Sequence, residues 1–204
     1  MSTRGAYLQQ DERKWLDAAR QGDSQAFSRL VGMYAKPVYN LCYRMLGNPQ
    51  DAEDAAQETF LRAYRALDRY DPQRKFATWL LSIAANYCID QHRRVRPQLV
   101  SLEETTQVEL RQSEPGPERQ TLALETHHEV QHLLSSLPAR DRAAVILYYW
   151  YAYSYAEIAR ALSVSESALK ARLHRARRSL AATWRQEQMN PLSVQRSIYE
   201  KSIS

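Results

Sequence analysis

Residues 154–178 read SYAEIARALSVSESALKARLHRARR and carry the clearest local pattern in the chain. Ser154 and Glu157 have the spacing of a helix capping box, in which each side chain bonds the backbone of the other residue. The polar step at Ser163 and Ser165 interrupts the helical spacing, and Ser165 can cap a second helix. The pattern predicts two short helices joined by a tight turn, the second of them strongly basic.

The basic segment is typical of a helix that enters the major groove of DNA. Residues near the start of such a helix reach base edges, and later cations meet phosphates. We therefore expect base contacts from Ser167 and Lys170. Backbone contacts are expected from Arg172, Arg175 and Arg178. The alternative is a solvated basic face, but the capping box, the turn and the charge together favour DNA binding. The opposite, apolar face recurs at helical spacing, at Leu169, Leu173, Ala176 and Leu180.

Composition indicates an all-α protein of two small helical domains joined by a flexible linker. The chain has 204 residues, only 5 of them glycine, and a net charge of +5. Two basic blocks flank an acidic joint, which suits two nucleic-acid contacts and a linker that avoids phosphates. No apolar run approaches a membrane span and no signal-peptide pattern opens the chain, so we expect no membrane insertion and a cytoplasmic location.

The sequence gives little indication of a metal or cofactor site. Cys42 and Cys88 lack a CxxC spacing, and buried free thiols are expected. His128 and His132 stand at positions i and i+4, but no third ligand is evident. We therefore expect neither a metal nor a cofactor.

The chain divides at its Gly and Pro steps. Pro37 lies inside a long apolar pattern and should kink or divide that helix. Asn48 can cap the next helix, with Pro49 at its first position. Periodicity fades from about residue 97. The predicted segments are an N-terminal part with a short helix (1–22, helix 12–20), a first domain (23–96, helices 24–46, 49–67 and 76–94), a linker (97–121), a second domain (122–186, helices 122–134 and 140–150 before the two described above) and a tail (187–204).

The helix that starts at Pro49 has two distinct faces. Residues predicted to face the core are Ala52, Ala56, Phe60, Ala63 and Leu67. The other side is either a solvated surface or a docking face for a basic partner helix with an apolar anchor, and the pattern leaves both interpretations open. That second face consists of Asp54, Gln57, Glu58, Leu61 and Arg65.

The helix 76–94 combines aromatic and basic side chains, which can grip unstacked single strands. Asn86 is a candidate for reading base edges, because an amide pairs with them. Trp79 lies one position from the apolar stripe, which favours a half-buried ring over base stacking. The basic residues Arg93 and Arg94 at the end of this helix have an alternative role, because cations there complement the helix dipole. The candidate residues are Arg74, Lys75, Trp79, Asn86, Asp90, Arg93 and Arg94.

Several ordered motifs resemble the bacterial RNA polymerase sigma factors of the extracytoplasmic-function (ECF) group. The resemblance covers about residues 23–96 and 126–185, and motifs in this order are far more specific than a lone helix-turn-helix. The motifs are DAEDAAQETF at 51–60, FATWLLSIA at 76–84, Ile89-Asp90 with Arg93-Arg94, Leu137-Pro138, SYAEIA at 154–159 and KARLHRAR at 170–177.

The resemblance implies a role for each surface. Residues 54–65 would grip the coiled coil of the polymerase β′ subunit, and helix 76–94 would melt and read the −10 promoter element. Partners would be core RNA polymerase (the β′ coiled coil and the β subunit), promoter DNA and an anti-sigma factor, and the chain would have no active site of its own. The −35 element would be read as duplex by Ser165, Ser167, Lys170, Arg172, His174, Arg175 and Arg178.

Two departures and two rival functions bear on this interpretation. Ala168-Leu169 stands where the family often has Thr-Val, and Tyr151-Ala-Tyr153 stands where it often has an acidic-Gly step. A free-standing dimeric regulator would have no evident use for the face at residues 54–61. A nucleic-acid enzyme such as a recombinase would need a catalytic Ser, a catalytic Tyr or clustered carboxylates, and the carboxylate cluster at residues 51–54 lies where a helix start favours acid. The tyrosines of 148–155 are expected to pack between helices.

Overall fold

The computed structural model describes the backbone of residues 3–100 and 121–189 and the side chains of residues 11–94 and 128–189. Most of the predicted linker, and residues 190–204 of the predicted tail, lie outside this part of the chain. Every α-helix or shorter helical turn assigned within it agrees with the all-α prediction. The helices are α1 (Thr3–Arg20), α2 (Ser24–Leu46), α3 (Pro49–Arg65), a 3-10 turn (Leu67–Arg69), α4 (Phe76–Val100), α5 (Thr121–Ser135), α6 (Ala139–Tyr149), α7 (Tyr155–Ala161) and α8 (Glu166–Gln188).

The chain forms two compact units, Met1–Gln91 and His92–Ser204. In the first, local signals set the helix ends. Asp23 caps α2, its Oδ1 accepting from the backbone N–H of Gln25 at 2.8 Å. At the other end Gly47 takes the left-handed conformation, with φ 79°, that ends a helix. Asn48 then caps α3.

The core of the first unit lies among α1, α2, α3 and α4, and α2 packs against both α1 and α3. Tyr34 of α2 meets Phe76 of α4 with 5.4 Å between the ring centroids. Cys42 and Cys88 are buried free thiols, as expected. A hydrogen bond with Cys42, together with burial, raises the pKa of Cys88 far above its ordinary value, which keeps it protonated. Other buried side chains are Leu30, Val38, Leu41, Met45, Leu80, Leu81 and Ala84.

For the first unit, the structure narrows one expectation and corrects two. Of the two effects expected of Pro37, division of the helix does not occur, because α2 is continuous from Ser24 to Leu46. The buried face of α3 includes Ala55 and Thr59, whereas Ala56 and Phe60 are only half-buried. Thr59 can be buried because its hydroxyl donates to the Ala55 carbonyl at 2.7 Å. The helix α4 continues to Val100 instead of ending at Arg94.

The second unit packs α5, α6 and α7 against α8. Arg142 of α6 is buried and joins α6 to the end of α5, its Nη2 donating to the carbonyls of Ser135 at 2.8 Å and Leu137 at 3.2 Å. Burial lowers the pKa of Arg142. The apolar core is formed by Leu134, Leu137, Val145, Ile146, Leu147, Ile158, Leu162, Leu169 and Leu173.

The predicted helix-turn-helix is present in α7 and α8. The capping box is complete, because Ser154 N–H donates to Glu157 Oε2 at 2.8 Å and Glu157 N–H donates back to Ser154 Oγ at 3.3 Å. The turn passes through Ser163, whose φ of 53° is left-handed. Ser165 caps α8, since its Oγ accepts from Ala168 N–H at 3.2 Å. Within the described residues, no helix is both long and apolar enough to cross a bilayer.

Candidate polymerase and nucleic-acid interfaces

The outer face of α3, which we call the docking face, brings its five predicted residues together on one surface. Asp54, Gln57 and Arg65 are exposed, and Glu58 is half-exposed. Leu61 lies between them and leaves 51% of its surface accessible. An accessible leucine among polar side chains is an arrangement that a protein partner can cover.

Sequence reasoning missed Tyr64 beside this face. Tyr64 is 46% accessible and its ring packs edge-on against Phe27 of α2, with 4.9 Å between the centroids. It stands three residues after Leu61 on the same helix, so the spacing could have indicated it. Leu61 and Tyr64 together give the docking face a larger apolar part than predicted.

The turn before α4 is held in a defined shape. The side chain of Asp71 accepts from Gln73 N–H at 3.0 Å and lies 3.3 Å from the Arg74 guanidinium. The Tyr70 hydroxyl donates to the carbonyl of Arg74. These bonds place Arg74 and Lys75 at the exposed start of α4.

Trp79 is half-buried and is part of a cluster of aromatic rings. Its ring centroid lies 5.1 Å from that of Tyr70 and 5.5 Å from that of Phe76. The arrangement suits a ring that supports the turn at Asp71–Lys75, and it leaves little of the indole face for stacking on a base.

The later candidates follow along α4. Asn86 is exposed, and its Nδ2 donates to the Ser82 carbonyl of the preceding turn at 2.8 Å. Asp90 is half-buried, and Arg93 and Arg94 are exposed. An amide near the middle and cations near the end of one helix give α4 groups that can meet both bases and phosphates.

The exposed side of α8, which we call the basic face, carries Lys170, His174, Arg175 and Arg178. These residues lie opposite the buried Leu169, Leu173 and Ala176. Ser167 is exposed at the helix start, with its Oγ 3.0 Å from that of the capping Ser165. Ser165 therefore shapes the helix start that presents the basic face.

Arg172 has a packing contact that the sequence did not predict. Its Nη1 lies 2.8 Å from Oδ1 of Asp141 in α6, and the side chain is 26% accessible. The ion pair fastens α8 to α6. The phosphate contact expected of Arg172 stays a prediction.

Arg177 was left out of the predicted −35 set and lies on the flank of α8. Its Nε donates to the Tyr149 hydroxyl at 3.1 Å, and its Cζ lies 5.6 Å from the ring centroid of Tyr148. Hydrogen bonds to Tyr155 and Tyr149 raise the pKa of Arg177, which therefore remains a cation. In the tyrosine cluster Tyr153 is buried, Tyr148, Tyr151 and Tyr155 are half-buried, and Tyr149 is 56% accessible.

The histidine pair in α5 includes one residue, His132, that contacts a carboxylate of another helix. His132 Nδ1 lies 2.7 Å from Oε1 of Glu187 near the end of α8. Among the residues whose side chains are described, no three potential ligands come together.

Comparison with known proteins identifies the family. Residues 30–97 match Sigma-70 region 2, and residues 127–180 match Sigma-70, region 4. The ECF RNA polymerase sigma factor SigW of Bacillus subtilis (strain 168) is 36% identical over 175 residues, covering 82% of this chain and 94% of SigW. The chain belongs to the ECF RNA polymerase sigma factors. The sigma factor CnrH of Cupriavidus metallidurans is 34% identical over 171 residues, covering 80% of this chain and 89% of CnrH.

A solved structure agrees with the fold of this sigma factor. CnrH in complex with the cytosolic domain of CnrY superposes with a TM-score of 0.64 and 26% identity, covering 87% of this chain and 99% of that chain. The docking face and the start of α4 lie within the part that matches region 2, and the basic face lies within the part that matches region 4.

Proposed function

We propose that this sigma factor docks on core RNA polymerase through α3 and reads a promoter with α4 and α8. Region 2 is assigned to residues 23–96 and region 4 to residues 122–186, with 97–121 as the linker. The observation that carries the proposal is the docking face, in which the exposed Asp54 and Gln57 and the half-exposed Glu58 accompany the accessible Leu61. A polar, acidic face with an apolar anchor fits a basic helical partner such as the β′ coiled coil, and a second contact is assigned to the β subunit.

Docking explains how two modest DNA contacts can suffice. A polymerase that holds both readers makes the second contact intramolecular, so its effective concentration rises. Region 4 anchors on the duplex −35 element. Region 2 then captures bases of the opened −10 strand, and this binding offsets the cost of unpairing. RNA synthesis belongs to the polymerase, in the cytoplasm, and no catalytic role is assigned to this chain.

The −10 contacts are assigned along α4 by chemistry. Arg74 and Lys75 at the shaped turn, and Arg93 and Arg94 farther along, are assigned to phosphates. Asn86 is assigned to a base edge, with Asp90 beside it on the helix. Trp79 is assigned a supporting role under the turn, because its ring packs on Tyr70 and Phe76.

The −35 contacts are assigned along the basic face. Ser167, Lys170 and His174 are assigned to base edges in the major groove, since they occupy the first turns of the helix. Arg175 and Arg178 are assigned to phosphates. Ser165 and Arg172 are assigned to positioning α8, the first by capping it and the second through Asp141.

Control by an anti-sigma factor is part of the proposal. CnrH, which this chain resembles along most of its length, was solved in complex with the cytosolic domain of CnrY. The docking face and the accessible apolar side chains Tyr149 and Trp184 offer surfaces that such a protein could cover. While bound there, it would compete with core polymerase.

One reconstitution tests the proposed function. The purified chain is mixed with core polymerase and a promoter library, and initiated transcripts are sequenced. We expect initiation from templates that share two short elements at a fixed spacing. Absence of specific initiation, together with tight sequence-specific binding by the chain alone, would instead identify a free-standing helix-turn-helix regulator.

A further inference from the structure

Arg62 belongs to neither predicted surface of region 2, but it contacts the docking face and the helix that carries the −10 candidates. Its Nε donates to Oε1 of Glu58, one turn earlier on α3, at 2.7 Å. Its Cζ lies 4.7 Å from the ring centroid of Tyr87 on α4. Glu58 is part of the docking face, and Tyr87 directly follows Asn86, the assigned base reader, in the sequence. A single guanidinium therefore links the docking face to α4 next to that residue.

The contact continues along α4. The Tyr87 hydroxyl accepts a hydrogen bond from Nε2 of Gln91, one turn later on the same helix. Gln91 lies between Asn86 and the cations Arg93 and Arg94 in the sequence. The chain of contacts runs from Glu58 through Arg62 and Tyr87 to Gln91, and so reaches the part of α4 between Asn86 and Arg93.

Among the side chains, only that of arginine can make both of these contacts with one charged group. The guanidinium is planar, so its edge can bond a carboxylate while its face lies on an aromatic ring. The Glu58 and Arg62 side chains are 31% and 42% accessible, and a helical ion pair so exposed contributes little by itself. The bond with Arg62 uses Oε1, which leaves Oε2 of Glu58 as an acceptor for an incoming partner.

We propose that Arg62 is a positioning residue that holds Glu58 ready for core polymerase and holds Tyr87, and with it the middle of α4, ready for the opened strand. This inference rests on the proposed function, and it adds that docking and strand capture are coupled through one side chain. Because the Tyr87 ring lies against the guanidinium that bonds Glu58, a change at Tyr87 should alter the affinity for core polymerase.

Variants of Arg62 test the first half of the proposal. Arg62→Gln should weaken the affinity of the full chain for core polymerase roughly fivefold, which is the size expected for one such contact. Arg62→Lys keeps the charge but not the planar fork, and should recover part of that loss. Arg29→Gln is the matched control, since Arg29 of α2 also lies over a ring, that of Trp15 of α1 at 5.8 Å, and belongs to neither surface.

Variants of Tyr87 test the second half. Tyr87→Leu removes the ring under Arg62 and should lower core affinity by a similar factor, although Tyr87 lies on α4. Tyr87→Phe keeps the ring and should restore most of that affinity. Combining Arg62→Gln with Tyr87→Leu should add little to either change, because both break the same contact.

Strand capture is measured on a promoter recovered by the wild-type holoenzyme, at saturating core polymerase. Initiation from the duplex is divided by initiation from the same promoter with a premelted −10 bubble. Arg62→Gln and Tyr87→Leu should lower this ratio roughly fivefold, and Arg29→Gln should not. A purely structural role for Arg62 would lower the melting temperature and leave core affinity and this ratio unchanged.

The proposal is overturned if Arg62→Gln, folded at the assay temperature, stays within twofold of wild type in both measurements. Should that variant fail to fold, the Tyr87 pair carries the same comparison, and equal core affinity for Tyr87→Leu and Tyr87→Phe would also overturn it. Failure of the proposed function looks different, because the wild-type chain itself would then not bind core polymerase.

Discussion

Arg172 of α8 is bonded to Asp141 of α6, with 2.8 Å between Nη1 and Oδ1. Asp141 is nearly buried, with 7% of its surface accessible, and stands in the first turn of its helix. The pair fixes the helix that carries the basic face to its neighbour. An arginine in a strongly basic DNA-reading segment thus serves the fold of the unit.

Asp141→Asn should destabilise the second unit by about 2 kcal/mol, because it leaves the partly buried guanidinium of Arg172 without its charge partner. The free energy of unfolding from a urea titration measures this loss. Arg178→Gln, on the exposed side of the same helix, should change that energy by less than about 0.5 kcal/mol. Equal stability of the Asp141 variant and wild type would show that the ion pair does not hold α8.

Arg178→Gln should instead change DNA binding. If Arg178 contacts a phosphate, the variant should lose affinity by a similar factor for the −35 duplex and for duplexes of other sequence. The slope of log Kd against log salt concentration should also drop by about 1.

Lys170→Ala should instead weaken the discrimination between bases at one base pair, by about 1–3 kcal/mol. Competition binding at several salt concentrations separates the two effects, and a sequence-selective loss for Arg178→Gln would reverse the assignments.

Ala152→Gly should stabilise the second unit. Ala152 has φ 52°, in the left-handed region that glycine adopts without strain and an L side chain rarely adopts. The backbone strain that is removed outweighs the entropic cost of a glycine, which gives the unfolded chain more freedom. The free energy of unfolding should therefore rise by about 0.5–1 kcal/mol. Ala182→Gly, within α8, should cost about 1 kcal/mol. Thermal melts would refute the argument if both variants shifted in the same direction.

The first unit should lose some stability as the pH rises through the titration of Glu12. Burial raises the pKa of Glu12 above the ordinary 4.5, while hydrogen bonding to Tyr34 and the charge of Arg13 oppose the rise. The folded state then binds the proton more tightly than the unfolded chain, so the contribution is present below pH 4.5 and is lost as the pH passes the raised pKa.

Glu12→Gln should remove this dependence and keep an acceptor for Tyr34. Urea titrations at several pH values between about 4 and 7 should show wild type weakening relative to the variant. A difference that is constant over this range, or of opposite sign, would contradict the account of Glu12.

The helix ends could be predicted from sequence because their causes are local. Asn48, Ser154 and Ser165 each cap a helix through backbone groups within three residues, so the spacing alone contains the information. The spacing could not decide whether Pro37 kinks or divides α2, since this depends on packing. Leu30 and Val38 are buried on either side of Pro37 and hold both halves of the helix against the core.

The rotation of α3 was predicted only approximately. Ala52, Ala55, Ala56 and Ala63 form two adjacent small-residue stripes, and apolarity alone does not choose between them. The structure buries Thr59, because its hydroxyl is satisfied by Ala55, and leaves Phe60 half-buried. The exposed side was still identified, because charged and amide side chains mark it in either rotation.

The contacts of Arg172 and Arg62 could not be predicted. Arg172 pairs with a residue 31 positions away, and Arg62 reaches Tyr87 on another helix. Local spacing does not contain such pairs, and a basic residue in a basic segment is naturally assigned to DNA. The residues of the candidate surfaces could be named from the sequence. The side chains that hold those surfaces in place could be identified only in the folded structure.

The most direct test of the central claim is the affinity of the full chain for core polymerase, compared with that of the double variant Gln57→Ala and Glu58→Ala. Both side chains lie on the docking face and outside the core. The wild-type chain should bind core polymerase tightly. The double variant should lose this binding while it keeps its helix content and its melting temperature. Unchanged core affinity of the folded double variant would contradict the claim that this face makes a DNA-binding chain a polymerase subunit.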